Sequence, residues 1–282
     1  MANFDKLCWC DLNLDDVGEA MELSGEAGWN QIDRDWQLFI SRGKTIGFRD
    51  SAGRLVASAA TLPYHNVFGF VSMVLVRQEW RRRGLATRLV NQCIQVLENQ
   101  KLIPVLDATN EGAKVYRHQG FVPLFELNRW QLRAEISKFF NGPASLSPPK
   151  FDSDKLHKLD AKAVGATRSH ILDDFCSRPG VEIEVLDDES GFALMRSGRN
   201  AKQIGPVTAP TQNGAISLIE RLLSRTSEAV YIDVPTMADQ VGKWLQGQGF
   251  TIQRGFVRMA RGQTKPFGNP ARMLASAGPE YG

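Results

Sequence analysis

A basic, glycine-bearing turn between an apolar run and an amphipathic helix constrains this chain more than any other feature. The apolar run Val71–Val76 predicts a buried strand, Arg81-Arg82-Arg83-Gly84-Leu85-Ala86 follow it, and a helical pattern opens at Thr87. The first N–H groups of a helix have no acceptor within the helix, and the helix dipole places positive charge at that end. Gly84 permits a tight turn and lets an anion approach without a Cβ in the way. The pattern therefore favours diphosphate binding, although a solvated basic turn before a helix has the same pattern.

The residues after this turn predict an ordered series of helix and strand. Apolar residues recur at helical spacing after Thr87, and the short apolar run Leu102–Leu106 predicts a buried strand. Asn110 is placed to cap a helix that carries Tyr116, and Gly120-Phe121 ends it with glycine at the C-cap position. The predicted order is strand, basic turn, helix, strand, short helix with a tyrosine, and a Gly-Phe pair.

This order and its two short motifs resemble the GNAT-type N-acetyltransferase superfamily. The acyl-CoA signature of that family, Gln/Arg-x-x-Gly-x-Gly/Ala, matches Arg81–Ala86, and its Tyr-x-x-x-Gly-Phe segment matches Tyr116–Phe121. The resemblance is strong over Val71–Phe121 and loose elsewhere. It implies an acyl-CoA site in the front half of the chain.

The rear half of the sequence repeats the front half without its chemistry. An amphipathic helical run, a strand and the pair Gly249-Phe250 recur in the same order as in the front half. Pro206–Pro210, with no basic residue, occupies the place of Arg81–Ala86, and Leu245 occupies the place of Tyr116. We therefore expect only the front half to bind acyl-CoA.

The predicted fold class is α/β (α+β), with two tandem GNAT-like domains, each a mixed and mostly antiparallel sheet flanked by helices. Residues 1–136 are predicted to form the acyl-CoA-binding catalytic domain, and residues 153–282 a degenerate GNAT-like domain without the cofactor motif. The linker between them, residues 137–152, contains Asn141-Gly142-Pro143 and Pro148-Pro149, which forbid regular structure. The Gly- and Pro-rich segment Gly262–Gly282 is expected to wrap a surface rather than form a core.

Composition sets limits on the class of protein. A chain of 282 residues with 43% hydrophobic and 23% charged residues can bury a sizeable core in two domains. The net charge of +3 is too small to favour a nucleic-acid binder. The four cysteines show neither disulfide-scaffold nor zinc-site spacing, and we expect no metal. With no signal-peptide pattern and no apolar run of membrane-spanning length, the expected location is the cytoplasm, as a monomer or homodimer without membrane contact.

The resemblance implies acetyl-CoA as the acyl donor and a role for each motif. The diphosphate is expected at the arginines and at the amides around Gly84, and the pantetheine arm along the open edge at the end of the fourth strand. Asn110 stands at the family's position for a pantetheine contact, or serves only as a helix cap. The predicted cofactor-binding residues are Val74, Leu75, Val76, Arg81, Arg82, Arg83, Gly84, Leu85, Ala86, Thr87 and Asn110.

The reaction implied by the family is direct attack of a neutral amine on the thioester carbonyl. Tyr116 matches the family's tyrosine, which protonates the departing thiolate. The sequence identifies no base for the amine. Asp107 and its counterpart Asp233 are expected to be structural, Glu79 is expected in an exposed loop, and the lone His65 at the surface.

The acceptor is predicted to be a small-molecule amine, because two packed domains would confine it more than a protein lysine permits. The family's acceptor groove borders the first two helices, where Trp29 and Trp36 are candidates for its lining. The predicted substrate residues are Trp29, Asn30 and Tyr64. A non-catalytic acyl-CoA sensor is the alternative, since it keeps the basic turn and does not need Tyr116. A nucleic-acid binder using Arg81–Arg83 as a phosphate patch lacks the interleaved aromatic residues that such proteins use.

Overall fold

The computed structural model describes residues 7–137 and 152–282 of the chain. They belong to two compact units, Met1–Leu106 and Asp107–Gly282. The predicted linker motifs at 141–149 lie outside the described residues. The boundary between the units falls within a strand, Ile103–Thr109. The assignment of domains to 1–136 and 153–282 stays a prediction.

The first unit is a mostly antiparallel sheet flanked by helices. Neighbouring strands β1 to β4 pair antiparallel, and β4 pairs parallel with β5. The helices bury apolar faces with side chains such as Leu23, Phe39 and Leu89. The elements are β1 Cys8–Asp11, α1 Val17–Glu26, α2 Asp33–Arg42, β2 Lys44–Arg49, β3 Leu55–Tyr64, β4 Phe68–Val76, α3 Leu85–Asn99 and β5 Ile103–Thr109.

The second unit begins with the end of β5, and its strands also pair mostly antiparallel. Its strands follow the order β11-β6-β10-β9-β8-β7, β12 pairs with β9, and β9 and β10 run parallel. The elements are α4 Asn110–Arg117, β6 Phe121–Leu132, α5 Ala134–Ser137, α6 Ser153–Val164, α7 Ser169–Ser177, β7 Glu182–Val185, β8 Phe192–Arg196, β9 Lys202–Thr208, α8 Gln212–Leu223, β10 Val230–Pro235, α9 Asp239–Gly247, β11 Thr251–Arg261 and β12 Met273–Ala275.

The repeat expected from the sequence is present as matching series of elements. The front half contains the series β4, α3, β5 and α4. The rear half contains the matching series β9, α8, β10 and α9, with strands and helices in the same order. β6 lies between β11 and β10, antiparallel to both. A strand that the sequence assigns to the front domain is thus paired with two strands of the rear half. This pairing explains why residues 107–136 belong to the second unit.

The expectation that Gly262–Gly282 wraps a surface is wrong for its last ten residues. Met273, Leu274 and Ala275 form β12 and are buried, and Tyr281 has no exposed surface. Small residues (Ala275, Ser276, Ala277) let this backbone pack closely against its neighbours. Glycine and alanine in this segment therefore mark close packing instead of solvent exposure.

The free cysteines differ widely in burial, and this predicts their reactivity. Cys8 is exposed, whereas burial raises the pKa of the Cys93 thiol to about 12 and that of Cys176 to about 11. Because the thiolate is the reactive form, we expect Cys8 to react rapidly with a disulfide reagent at pH 8 and Cys93 only after unfolding. Ellman's assay measures this. A fast phase that persists in Cys8→Ser would contradict the assignment.

None of the helices in the described residues combines the length and apolar character needed to cross a bilayer.

Candidate active site

The basic turn after β4 has the backbone geometry that a glycine permits. A short 3-10 turn, Gln78–Trp80, follows β4; Arg82 has a φ of +60° and Gly84 a φ of +81°. Gly84 is the N-cap of α3, which begins at Leu85. The helix thus starts two residues before the predicted opening at Thr87, because the left-handed glycine ends the loop there.

The amino end of α3 is open to an anion. No side chain among the described residues caps the helix, its first turn holds no acidic residue, and its first hydrogen bond runs from Arg88 N to Gly84 O at 3.1 Å. The helix itself offers no acceptor to the N–H groups of Leu85, Ala86 and Thr87. Gly84 is exposed, and a Cβ built on it would meet nothing within 4 Å. The helix dipole and open backbone together make a surface suited to a phosphate.

The three arginines of the turn are exposed but differ in their contacts. Arg81 donates from Nε to the Val76 carbonyl at 3.1 Å. Arg83 donates to the Glu79 carbonyl at 2.9 Å and its guanidinium lies 4.8 Å from the centre of the Trp80 ring. Arg81 and Arg83 therefore brace the loop that leads to α3.

The pairing between β4 and β5 ends before β4 itself ends. Their parallel pairing covers Phe68–Phe70 and ends at Phe70 opposite Val105. Beyond that point a bulge, with Met73 at a φ of +52°, breaks the register with β3, and Ser58 Oγ donates to the Met73 carbonyl at 2.9 Å. After the bulge, β4 stays paired with β3 through Val76. Within the first unit, the other side of Val74, Leu75 and Val76 thus has no β5 residue in the pairing register.

A buried arginine fixes the start of the loop. Arg77 donates from Nε to the Leu55 carbonyl at 2.7 Å and from Nη2 to Glu22 at 2.9 Å, and it also pairs with Glu26. These contacts tie the residue after β4 to α1. Sequence reasoning missed Arg77, although the spacing of four between Glu22 and Glu26, on one helix face, was a usable signal.

Tyr116 lies on α4 in the second unit. Its ring is half-buried and meets Phe121 edge-on at 6.1 Å between centroids. A Cβ on Gly112, one turn earlier, would come within 3.2 Å of the tyrosine ring, so this glycine makes room for it. The helix is capped by Thr109, whose Oγ1 accepts from Gly112 N at 3.2 Å. The predicted capping role of Asn110 is wrong, since Asn110 is the exposed first residue of the helix.

The two aspartates expected to be structural are each held by an arginine. Asp107 binds Arg258 at 2.7 and 2.8 Å, and Asp233 binds Arg129 with both distances 2.8 Å. Gln203 donates a further hydrogen bond to Asp233 at 3.0 Å. Burial raises the pKa of Asp107, and the Arg258 guanidinium opposes that shift. Both carboxylates serve the sheet of the second unit, which leaves neither suited to accept a proton from an amine.

The other candidate bases lie at the surface. Glu79 is exposed and pairs with Arg54 at 2.8 Å, and His65 is exposed. No base is identified among these residues.

The predicted substrate residues differ in accessibility. Trp29 is half-buried after Gly28, whose φ is +67°. Asn30 is buried, and Tyr64 has no exposed surface and packs on Phe68 and Phe70. The position of Tyr64 in the core therefore does not support the prediction that it contacts a substrate. Trp36 is likewise fully buried and donates to Ser24 Oγ at 3.2 Å.

The family of the chain follows from two matches. The GNAT acetyltransferase family model matches residues 13–121, and a GNAT acetyltransferase domain model matches residues 156–273. The chain therefore belongs to the GNAT superfamily of acetyltransferases, as a two-domain member. Acyl transfer is the chemistry of this class.

Similar proteins support this placement. The uncharacterized N-acetyltransferase YitH of Bacillus subtilis is 24% identical over 253 residues, 85% of this chain and 86% of that protein. The aminoglycoside 2'-N-acetyltransferase of Mycolicibacterium fortuitum is 30% identical over 98 residues, 32% of this chain and 49% of that protein. The crystal structure of a proposed acetyltransferase from Pyrococcus horikoshii matches with a TM-score of 0.79 at 17% identity, over 100% of this chain and 98% of that one. The last likeness establishes the fold alone.

Proposed function

We propose that this chain transfers an acetyl group from acetyl-CoA to the primary amine of a small molecule. The carrying observation is the amino end of α3, where an exposed left-handed Gly84 precedes an uncapped first turn. Charge and open backbone N–H groups meet there, as a diphosphate requires. We assign acyl-CoA binding to residues 1–136 and a degenerate role to residues 153–282.

Each part of the donor has matching residues. Main-chain N–H groups at Leu85, Ala86 and Thr87, with the positive charge of Arg81–Arg83, suit the diphosphate. The pantetheine arm carries amides, which can pair with a strand edge as an added strand does. Val74, Leu75 and Val76 offer such an edge after the β4 bulge, and Asn110 is proposed as a further contact because it stands at the family's position for one.

The chemical step is direct attack of the neutral amine on the thioester carbonyl. The C–N bond forms as the C–S bond breaks, and the sulfur leaves as a thiolate that takes a proton. We assign that proton to the Tyr116 hydroxyl, because a phenol O–H, whose usual pKa is about 10, can donate to the departing thiolate. The proton lost by the amine passes to solvent or to a base that remains to be assigned.

A small amine is the proposed acceptor. The partial similarity to an enzyme named for aminoglycosides supports this substrate class. The test is thiol release from acetyl-CoA with a panel of aminoglycosides, polyamines and amino acids, against an intact lysine-rich protein as competitor. Turnover with the protein and with none of the small amines would contradict the proposal.

The donor site has a matched pair of glycines for its test. Gly84 and Gly53 both lie in the first unit, have φ of +81° and +82°, and leave open space where a Cβ would be. Alanine costs about 1–2 kcal/mol of backbone strain at either position. We expect Gly84→Ala to raise the Kd for acetyl-CoA about tenfold, since strain of that size shifts the turn and its N–H groups.

Gly53→Ala is the control, because it carries the same strain in the β2–β3 hairpin. It should lower the unfolding temperature as much as Gly84→Ala and leave the Kd unchanged in calorimetry. Equal loss of affinity in both variants, or no acetyl-CoA binding by the unaltered protein, would refute the assignment of the site.

A further inference from the structure

The second unit contains a cleft built like the open edge of β4. β9 pairs in parallel with β10 over Lys202–Ile204, and this pairing ends at Ile204 opposite Ile232. The register between β9 and β8 then shifts between Ala193 and Met195 of β8, opposite Gly205-Pro206 of β9. The parallel ladder again covers three residue pairs before a bulge, so β9 also separates from its parallel neighbour.

Residues 273–282 of the same chain fill this cleft. β12 pairs antiparallel with β9, Met273 opposite Thr208 and Ala275 opposite Val207. Ser276 N then donates to the Asp233 carbonyl of β10 at 2.9 Å. The segment thus contacts both strands that part at the bulge, and it does so through its main chain.

The floor of the cleft is shaped for a backbone. A Cβ on Gly205 would come within 2.0 Å of the Ser276 carbonyl oxygen, so the glycine lets the segment lie directly on β9. Tyr281 anchors the far end: its carbonyl accepts from Arg168 at 2.8 Å and its ring meets Phe175 edge-on at 5.0 Å.

The contact between this segment and β9 is incompletely satisfied. Thr208 Oγ1 and Ser276 Oγ are buried and have no hydrogen-bond partner among the described residues. Buried hydroxyls without partners cost free energy, and both would gain water if the segment left. Thr264 and Lys265, which precede it, are exposed.

We propose that residues 265–282, here called the strap, are an intramolecular ligand of the second unit. The strap occupies a cleft that binds an extended main chain by strand addition, and it can be exchanged for the same sequence supplied in trans. The comparison with the β4 edge as a ligand-binding edge rests on the proposed function. The contacts of the strap with β9 do not depend on it.

The cleft lacks the parts that would make it a second acyl-CoA site. The turn after β9 contains no arginine or lysine, and the first turn of α8 is capped by Thr211, whose Oγ1 accepts from Gly214 N at 3.1 Å. A peptide-like strand suits this cleft, and a diphosphate does not. We therefore expect one acetyl-CoA per chain whether the strap is present or not.

The test cuts the strap from the folded protein of residues 1–282. A protease recognition sequence is inserted between Thr264 and Lys265, the protein is purified and cut, and a fluorescent peptide of residues 265–282 is added in excess. We expect incorporation of one labelled peptide per chain with release of the original strap. Acetyl-CoA binding is measured in parallel.

Two peptide variants give matched controls. Ala275 has no exposed surface and Ala271 is exposed. A peptide with Ala275→Asp should incorporate at least tenfold less, because it would bury a carboxylate, and one with Ala271→Asp should incorporate like the unaltered peptide.

Four results would overturn the proposal: unfolding on cutting, a folded cut protein that never takes up peptide, loss of the strap without rebinding, or equal uptake of the Ala275→Asp peptide. Peptide exchange without acetyl-CoA binding would sustain this proposal and refute the proposed donor, so the two fail separately.

Discussion

Replacing Tyr116 by phenylalanine should lower kcat for acetyl transfer about 100-fold or more and leave the Kd for acetyl-CoA unchanged, because a general acid contributes about 10²–10⁴-fold. The variant removes only the hydroxyl. The edge-on contact with Phe121 and the space above Gly112 depend on the ring and remain. Steady-state thiol release and calorimetry measure the two constants.

Tyr231→Phe provides the control for this experiment. Tyr231 is also half-buried in the second unit, and its hydroxyl accepts a hydrogen bond from Gln253 at 3.3 Å. It should keep full kcat. If Tyr116→Phe keeps it too, the tyrosine is not the acid. An unaltered protein that binds acetyl-CoA but turns over no amine would favour the sensor alternative.

Replacing Arg129 by methionine should lower the free energy of unfolding by about 3–5 kcal/mol, as expected when one partner of a buried ion pair is removed. Asp233 would be left buried, with Gln203 as its other donor. The side chains of Arg129 and Asp233 are 8% and 1% exposed, so water cannot replace the lost guanidinium. Denaturant unfolding measures the change.

The double variant Arg129→Met/Asp233→Leu should recover most of that loss, since it leaves no unpaired charge. Lys243→Met is the control. It breaks the ion pair between Lys243 and Asp239, whose side chains are 77% and 58% exposed, and should change the free energy of unfolding by less than about 1 kcal/mol. A double variant no more stable than Arg129→Met would show that the pair contributes through packing and not through charge.

Local patterns were sufficient to predict the elements of the basic turn. The spacing of apolar residues identified β4 and α3, and the glycine at position 84 marked the turn, because these features depend on near neighbours in the sequence. The start of α3 was missed by two residues, since the left-handed conformation of Gly84 ends the loop earlier than the apolar pattern begins. Thr109 and Asn110 are both good caps, and only the backbone decides between them.

Long-range pairing could not be predicted from the sequence. The placement of β6 between β11 and β10 joins residues 98 to 140 positions apart, and no local signal encodes it. The burial of residues 273–282 also depends on long-range pairing. A Gly- and Ala-rich segment is typical of exposed loops, and only the pairing with β9 makes part of it a buried strand. The burial of Tyr64 could not be predicted because β3 is buried on both faces, which leaves no alternation to reveal the direction of its side chains.

The position of β6 has a consequence for how such a chain can be divided. A fragment ending at residue 136 would carry β6 with neither of its two neighbours, and a fragment beginning at 153 would lack the strand that joins β10 to β11. Long strands with both edges open are prone to pair with other chains. The two halves are therefore not interchangeable. A gene divided between them would encode fragments that are prone to aggregate. Transfer of the rear half to another protein would require β6 together with β10 and β11.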